Sequence, residues 1–282
     1  MLTKTLANGV KMPMLGLGTF LVGEGPEAYD TVLQALKDGY RHIDTAQMYF
    51  NEESVGRAIK DSGIPREEIF VTTKLNARKL GYQEAIDELN VSLKKLGLDY
   101  VDLYIIHWPS PSFELNQATW KGMEVCYQNK KARAIGVSNF KIHHLDSILK
   151  TAKIYPMVNQ VEMHPGLNQT SLQKYMAKYD IQMISYGPFM KGEVFNPDGP
   201  YFEGLKQVAD KHHITVAQAV IAWGLARGVF MIPKSVTPKR IIENLHAQDV
   251  ELTKEDVEAI NLLNRGRRVY TDPDNNSFVK QA

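Results

Sequence analysis

Several short apolar runs in this chain end in polar side chains that could take part in proton transfer. Asp44, Lys74 and His107 each close such a run, and Tyr49 follows Asp44 by five positions. A buried Lys74 ammonium needs a counter-ion, which the Asp44 carboxylate could provide. A cation beside Tyr49 would lower the pKa of its phenol and let it act as an acid near neutral pH. His107 could hold a carbonyl oxygen beside that hydroxyl, so these side chains are candidates for chemistry at a carbonyl group.

Other apolar runs also end in polar or aromatic residues. The stretch 133–140, RAIGVSNF, changes abruptly from a β-branched run to the small polar pair Ser138 and Asn139. Taken singly, such residues have ordinary explanations, because a lysine at a strand end is usually solvated and an aspartate before a helix is usually a cap. Their repetition at one end of successive runs favours a shared site. The remaining run ends are Gln160, Tyr186, Lys234 and Ser235.

The elements that carry these ends alternate between strand and helix. Near-continuous apolar character predicts strands buried on both faces of a parallel sheet, and apolar spacing of three to four predicts helices such as 82–96, 215–227 and 238–245. Asn168 is a candidate helix N-cap, and Asn8-Gly9 predicts a tight hairpin turn. The eight predicted strands are 14–19, 40–44, 69–74, 101–107, 133–138, 157–161, 182–186 and 229–233.

Eight strand–helix units predict an α/β fold, a closed (β/α)₈ TIM barrel with an N-terminal β-hairpin and extra peripheral helices, one of them at 253–263. In such a barrel the C-terminal ends of all strands open on one face, so the polar run ends converge however far apart they lie in sequence. A chain of 282 residues without a linker is expected to form one domain, 1–282.

Composition and net charge limit the classes of molecule that this protein is expected to bind. Hydrophobic residues make up 44% of the chain, charged residues 23%, and the formal net charge is +1. That balance gives no electrostatic reason to expect nucleic acid or an anionic membrane as a partner. The lone Cys126 excludes an intrachain disulfide, and the N-terminus lacks the apolar stretch of a signal peptide. We therefore expect a cytoplasmic protein that acts on a small molecule. A monomer is a separate expectation that composition does not establish.

Motifs spread over nearly the whole chain resemble those of the aldo-keto reductases, in particular the short-loop microbial aldehyde and diketogluconate reductases. The matching stretches occur in the family's order. They are GLGT (16–19), YRHIDTA (40–46) with Tyr49, TK (73–74), DLYIIHWP (102–109), AIGVSNF (134–140), NQ (159–160), SY (185–186) and IPKS (232–235).

The resemblance implies an (α/β)₈ reductase that uses NADPH without a Rossmann domain and converts small aldehydes, ketones or α-dicarbonyls to alcohols. The sequence is consistent with the absence of a Rossmann domain, because Gly16-x-Gly18 lacks the third glycine and the acidic partner of the dinucleotide fingerprint. The resemblance implies that Tyr49 is the general acid, that Asp44 and Lys74 adjust its pKa, and that His107 orients the carbonyl.

The resemblance also assigns the cofactor site. Tyr186 would stack on the nicotinamide, and Ser138, Asn139 and Gln160 would hold its carboxamide, which needs both a donor and an acceptor. Lys234, Ser235 and Arg240 would favour the 2′-phosphate of NADP over the bare ribose of NAD. Thr237, Glu243 and Asn244 would reach the same phosphate and the adenine. The other expected contacts are Gly18, Thr19, Asp44, Gly187, Pro188, Lys191 and Val236.

Several residues that differ from the family pattern are at positions expected near the substrate or the cofactor. Phe20 replaces a frequent tryptophan, Asn76 replaces a frequent aromatic residue, and the loop after Tyr186 lacks the usual Gly-Gln-Gly, where Lys191 could supply a positive charge instead. The connection after Trp108 and the C-terminal tail are short for the family, which predicts a shallow, open pocket for small substrates. The predicted pocket residues are Phe20, Tyr49, Asn76, His107 and Trp108.

Two other functions stay open. A metal-dependent hydrolase could use His42, Asp44, His107 and His164, but Lys74 and Tyr49 would then have no role, and an ammonium cannot bind a metal. We expect no metal. A binding or redox-sensing subunit could retain the fold and cofactor with little turnover. The complete set of Asp44, Tyr49, Lys74 and His107 argues against that alternative.

Overall fold

The hairpin at the N-terminus closes one end of the molecule. A computed structural model describes residues 1–281, in which β1 (Thr3–Thr5) pairs antiparallel with β2 (Lys11–Pro13). Gly9 adopts φ 85° in the connecting turn, a conformation that glycine adopts readily. Asn8 Nδ2 donates to the carbonyl of Arg133 at 2.9 Å, near the beginning of a later strand. The hairpin therefore lies at the N-terminal end of the parallel strands, away from the predicted site.

The parallel strands within residues 1–281 form one eight-stranded barrel in chain order. Parallel bonding around the seam closes it: Leu15 bridges Met231, Gly16 N donates to Met231 O at 2.9 Å, and Met231 N donates to Met14 O at 2.8 Å. The predicted (β/α)₈ barrel is confirmed. Its strands are β3 (Leu17–Gly18), β4 (His42–Asp44), β5 (Phe70–Leu75), β6 (Val101–Ile106), β7 (Ala132–Ser138), β8 (Val158–Glu162), β9 (Gln182–Tyr186) and β10 (Phe230–Met231).

The strands at the seam are shorter than predicted. β3 and β10 each contain two residues instead of the predicted six and five. Pro233 has no N–H to continue the ladder of β10, although its carbonyl still accepts from Gly18 N at 3.1 Å. The central strands are longer, and every residue of β5 and β6 is buried, as a parallel sheet covered on both faces requires.

Helices surround the barrel, and their starts follow the local capping chemistry. Thr215 and Thr253 accept hydrogen bonds from the backbone N–H three residues on, so both open helices with capping boxes. The helices are α1 (Pro26–Asp38), α2 (Glu52–Asp61), α3 (Tyr82–Leu96), α4 (Phe113–Gln128), α5 (Ile142–Leu149), α6 (Thr170–Ala177), α7 (Phe202–Lys211), α8 (Val216–Ala226), α9 (Pro238–Leu245) and α10 (Lys254–Asn261).

Two of these helices are additional to the alternating series, of which α10 matches the extra helix predicted at 253–263 and α7 was not located from the sequence. α7 precedes α8 in the β9–β10 connection, and α10 follows α9 at the end of the barrel. Asp256 of α10 joins them, because it accepts from Lys211 Nζ and His212 Nε2, each at 2.7 Å. The Asn168 cap prediction is wrong, because Gln169, at φ 53°, is the N-cap of α6. Asn168 Oδ1 instead accepts from Thr170 N, two residues after it. Every helix within residues 1–281 is too short or too polar to span a lipid bilayer.

Candidate active site

The barrel brings together the predicted proton-transfer residues at the C-terminal ends of neighbouring strands. Asp44 ends β4, Lys74 is the second-to-last residue of β5, and His107 directly follows β6. Tyr49 ends the short 3-10 turn Gln47–Tyr49. Lys74 Nζ forms an ion pair with Asp44 Oδ1 and donates to Tyr49 Oη at 3.2 Å. The rings of Tyr49 and His107 meet edge to face with centroids 5.5 Å apart.

The ion pair of Lys74 and Asp44 is sealed from solvent. The Lys74 side chain is 0% exposed and that of Asp44 is 2% exposed. Lys74 also donates to Thr45 O at 2.8 Å, so its three donors have acceptors in Asp44, Thr45 and Tyr49. Burial lowers the pKa of Lys74 from its ordinary value, and the Asp44 carboxylate opposes that shift. The predicted counter-ion is therefore in place.

The expectation that Lys74 lowers the pKa of Tyr49 is wrong for the protein alone. Burial raises the pKa of this phenol well above 10, and the negative charge of Asp44 raises it further. The Lys74 ammonium lies 4.7 Å from the ring centroid, but its charge is balanced by Asp44. The tyrosine consequently keeps its proton at neutral pH, and the cation can stabilise the phenolate once the proton has left.

His107 is a neutral imidazole at physiological pH. Burial lowers its pKa well below 6.5, and the nearby Lys74 charge adds to the shift. The neutral ring carries one N–H, and Nδ1 has no hydrogen-bond partner among residues 1–281. Its backbone carbonyl accepts from Asn139 Nδ2 at 2.9 Å, which fixes the start of the loop after β6. The ring can therefore donate one hydrogen bond to a molecule in the site.

A cavity of about 590 Å³ opens above these residues, within the size range of small-molecule sites. Most of the predicted cofactor and substrate residues line it. These are Gly18, Phe20, Asp44, Tyr49, His107, Trp108, Ser138, Asn139, Gln160, Tyr186, Gly187, Pro188, Lys191 and Lys234.

The polar residues predicted to hold an amide form a connected group. Ser138 Oγ donates to Gln160 O at 2.8 Å, and Asn139 Oδ1 accepts from Tyr186 Oη at 2.7 Å. Asn139 adopts φ 66°, a left-handed conformation that asparagine tolerates better than most residues. Gln160 Nε2 donates to Asp44 Oδ2 at 2.7 Å. This bond links Gln160 directly to the ion pair of Asp44 and Lys74.

Thr19 and Asn76 are not in the cavity wall. Thr19 Oγ1 and N both donate to Asp44 O at 3.0 Å, so this buried residue supports the backbone behind the ion pair. Asn76 N donates to Gln47 Oε1 at 2.8 Å, and its side-chain oxygen accepts from Arg78 N at 3.0 Å. The turn directs Arg78 to the cavity, where it takes the place expected for Asn76.

The residues predicted to bind the 2′-phosphate lie at the beginning of α9, and most of them are outside the cavity wall. Lys234 lines the cavity, and Ser235 Oγ accepts from Thr237 N at 3.1 Å in the turn before the helix. Arg240 is exposed, whereas Glu243 Oε1 accepts from Thr215 Oγ1 at 2.8 Å. The remaining residues predicted for this end of the cofactor differ in exposure: Val236 is half-buried, Thr237 is exposed and Asn244 is buried.

Residues of the C-terminal tail were not predicted as part of the site. The tail is irregular, and Tyr270, Thr271 and Phe278 line the cavity. Aromatic residues in an otherwise polar tail were the available signal. The other lining residues that the sequence reasoning missed are Met48, Arg78, Phe189, Gly192, Phe195 and Ile232.

Buried ion pairing holds the tail against the barrel. Glu162, the last residue of β8, accepts from Arg268 Nη1 at 2.9 Å and from Val269 N at 2.6 Å. Tyr270 then packs edge to face on Tyr186, with centroids 5.3 Å apart. Farther along, the Phe278 ring packs on Trp108 at 5.2 Å. The tail thus forms one wall of the pocket, which tail length alone did not reveal.

The histidines of the alternative hydrolase reading have other partners. His42 Nε2 lies 3.0 Å from Thr72 Oγ1, and its ring fills the space that a side chain at Gly16 would need. His164 Nε2 lies 3.0 Å from the Glu162 carboxylate, beside the tail. These contacts give both rings structural roles and leave Asp44 paired with Lys74.

A different group of potential metal ligands lies on the surface among residues 1–281: His143, His144 and Asp274. His144 Nδ1 accepts from Lys141 N at 3.2 Å, so a neutral ring carries its proton on Nε2, the atom 3.4 Å from Asp274. The Lys141 ammonium also lies 2.6 Å from the Asp274 carboxylate. This protonation pattern and the adjacent cation favour a cluster of hydrogen bonds and ion pairs over a metal site.

Comparisons with known proteins agree with this architecture. Residues 14–265 match the model of the aldo/keto reductase family. Glyoxal reductase of Bacillus subtilis is 47% identical over 272 residues, covering 96% of both chains. An aldo-keto reductase from a Medee basin deep-sea metagenome superposes with a TM-score of 0.92 at 46% identity, covering 97% of this chain and 99% of that one. A Bombyx mori aldo-keto reductase in complex with NADP gives 0.88 at 35% identity, covering 97% and 96%.

Proposed function

Because this chain belongs to the aldo/keto reductase family, we propose that it is an NADPH-dependent reductase of small aldehydes, ketones or α-dicarbonyl compounds. The observation that carries the proposal is the buried contact of Lys74 with both Asp44 and Tyr49 at the floor of a cavity. The glyoxal reductase relative supports α-dicarbonyls, since glyoxal is the simplest member of that class.

The residues present fit a nicotinamide cofactor, which is bound in the Bombyx mori relative as NADP. Tyr186 offers a ring in the cavity wall, and Ser138, Asn139 and Gln160 offer hydroxyl and amide groups beside it. The Asn139 oxygen would exchange its bond from Tyr186 Oη for one to the carboxamide. When bound, NADPH supplies the hydride.

Cations in this chain fit the charged portion of the cofactor. Lys191 and Lys234 line the cavity, and the exposed Arg240 lies in the first turn of α9. A guanidinium and a helix N-terminus together suit a phosphate monoester, which supports NADPH over NADH. Ser235, Val236, Thr237, Glu243 and Asn244 would complete the contacts at this end, as Gly18, Thr19, Gly187 and Pro188 would near the cavity.

Proton delivery falls to Tyr49. Its phenol is protonated at neutral pH, because burial raises its pKa, and it can give the proton to the oxygen of a reduced carbonyl. Lys74 then stabilises the phenolate through the 3.2 Å contact, while Asp44 keeps the ammonium charged in a dry site. Neutral His107 donates its N–H to the same carbonyl oxygen and orients it.

The proposal is tested by NADPH oxidation with glyoxal, methylglyoxal and 4-nitrobenzaldehyde. Tyr49→Phe should lower kcat by about a hundredfold or more, the range typical of a lost general acid, with NADPH affinity nearly unchanged. The exposed Tyr82 provides the matched control, since Tyr82→Phe should leave both quantities unchanged. A Tyr49→Phe variant that turns over like the parent would refute the acid assignment.

The alternative of a binding or redox-sensing subunit has a separate outcome in the same experiment. Tight NADPH binding by the parent protein without oxidation by any carbonyl in the panel would favour that alternative. We also propose that the chain works in the cytoplasm as a single-domain monomer, which cell fractionation, light scattering and the number of unfolding transitions would test.

A further inference from the structure

One charged side chain in the cavity wall has no role in the proposed reaction. Arg78 follows β5 and lines the cavity with the aromatic residues Phe20, Trp108 and Phe278. The side chain is exposed, so its guanidinium is accessible to a molecule entering from solvent. A permanently charged group with five donors in a planar fork is suited to binding a carboxylate.

Strand order places Arg78 on the side of the substrate. β5 lies between β4, which carries Asp44, and β6, which leads into His107 and Trp108. The lysines assigned to the cofactor follow β9 and β10, and β9 is four strands from β5 in the barrel of eight. Arg78 and Lys191 are therefore carried by loops on opposite sides of the barrel.

The positive charge of Arg78 is available because nearby acids have other partners. Glu84 pairs with Lys280 at 3.1 Å, and Glu88 pairs with Lys79 at 3.4 Å. Within the cavity wall the Asp44 carboxylate is already held by Lys74 and by Gln160. A substrate carboxylate would thus meet an arginine that has no competing ion pair within residues 1–281.

The backbone that carries Arg78 is braced on both sides. Asn76 connects to Gln47 at 2.8 Å and accepts from Arg78 N at 3.0 Å. The tail holds the middle of the turn, since Lys280 N donates to Ala77 O at 3.0 Å. The guanidinium can therefore reach an anion through rotation of its own side chain, without ordering a loop.

We propose that Arg78 makes this site selective for carbonyl substrates that carry a carboxylate, a specificity that rests on the proposed reductase function. The reacting carbonyl lies at Tyr49 and His107, an apolar spacer packs on Trp108 and Phe278, and the carboxylate binds Arg78. The substrate class is an oxo acid with its carbonyl and carboxylate separated by such a spacer.

The test compares 4-carboxybenzaldehyde with 4-nitrobenzaldehyde, which have similar planar substituents but differ in charge. In Arg78→Ala, kcat/KM for the carboxylate should fall about tenfold or more, the factor of a lost charge-assisted hydrogen bond, while that for the nitro compound changes less than about twofold. Arg78→Lys should recover part of the loss, because an ammonium keeps the charge but not the fork. At saturating NADPH, added salt should weaken the carboxylate reaction of the parent more than its nitro reaction.

Lys79→Ala is the control, because Lys79 is the adjacent cation but pairs with Glu88 outside the cavity wall. It should not change the ratio of the two kcat/KM values. A ratio that stays unchanged in Arg78→Ala, with both aldehydes still reduced, would overturn the specificity proposal and leave the reductase function intact. Failure of the parent to reduce either aldehyde, or the small carbonyls tested above, would instead refute the proposed function.

Discussion

Replacing Asp44 by asparagine should destabilise the protein, because it leaves the Lys74 ammonium buried without its counter-ion. The ammonium would retain Thr45 O at 2.8 Å and Tyr49 Oη at 3.2 Å, but both are neutral acceptors. Removing one partner of a buried ion pair typically costs about 3–5 kcal/mol. Lys74 is fully buried, so solvent cannot compensate for the lost charge.

Proton loss from Lys74 sets an upper limit on this cost. Discharging a lysine of ordinary pKa 10.5 at pH 7 takes about 5 kcal/mol. In the variant, the folded-state pKa of Lys74 lies below the unfolded value, so the unfolded chain holds the proton more tightly. The stability of Asp44→Asn should therefore rise between pH 7 and pH 10, by up to about 1.4 kcal/mol per pH unit and more steeply than in the parent.

Urea unfolding at several pH values measures this effect. Asp44→Asn and Lys74→Met should each be destabilised, and the double variant should be more stable than the sum of the two losses predicts by about 2 kcal/mol or more. Its reductase activity should stay low, since Tyr49 still lacks the cation. The exposed pair of Lys206 and Asp210 provides the control, where Asp210→Asn should cost less than about 0.5 kcal/mol.

Two results would refute the reasoning about this pair. Additive losses in the double variant would show that Asp44 and Lys74 contribute independently to stability. A stability of Asp44→Asn that does not rise with pH would show that the destabilised group is not the Lys74 ammonium.

Three other perturbations test separate parts of the structure. Acid should destabilise the protein through His42 and His144, because burial lowers the pKa of each to about 4 and the unfolded chain takes up these protons first as pH falls below 6.5. The free energy of unfolding should fall by up to about 3 kcal/mol for each histidine between pH 6.5 and 4, and a constant value there would contradict this. Arg240→Ala should weaken NADPH binding by about 1.5–3 kcal/mol and NADH far less, with Lys239→Ala as the neighbouring control, whereas equal losses in titration calorimetry would exclude a 2′-phosphate contact. Glu162→Gln should speed trypsin cleavage after Arg268, which Glu162 holds at 2.9 Å; an unchanged digestion rate would mean that other contacts retain the tail.

Local sequence patterns were sufficient where the determining interaction is itself local. The helix 238–245 was predicted with its observed bounds, because Pro238 suits the first helical turn. The strand 182–186 was likewise predicted from its own apolar run. The seam strands were overestimated, because their length depends on bonding between segments about 215 positions apart.

Long-range contacts decided which residues form the walls of the site. Arg78 reaches the cavity instead of Asn76 because Asn76 braces the turn through Gln47. Tyr270 and Phe278 line it because Glu162 and Trp108 hold the tail across the face. No residue pattern within the tail encodes those partners.

The sequence by itself determined which residue types end successive strands, and in which order. From that order the barrel and its candidate catalytic residues could be predicted. Only the tertiary structure decided the electrostatic state of that set. Lys74 was expected to make Tyr49 more acidic, but desolvation and the negative charge of Asp44 raise the pKa of its phenol. A charge acts through its distance and its dielectric surroundings, and both are properties of the folded chain.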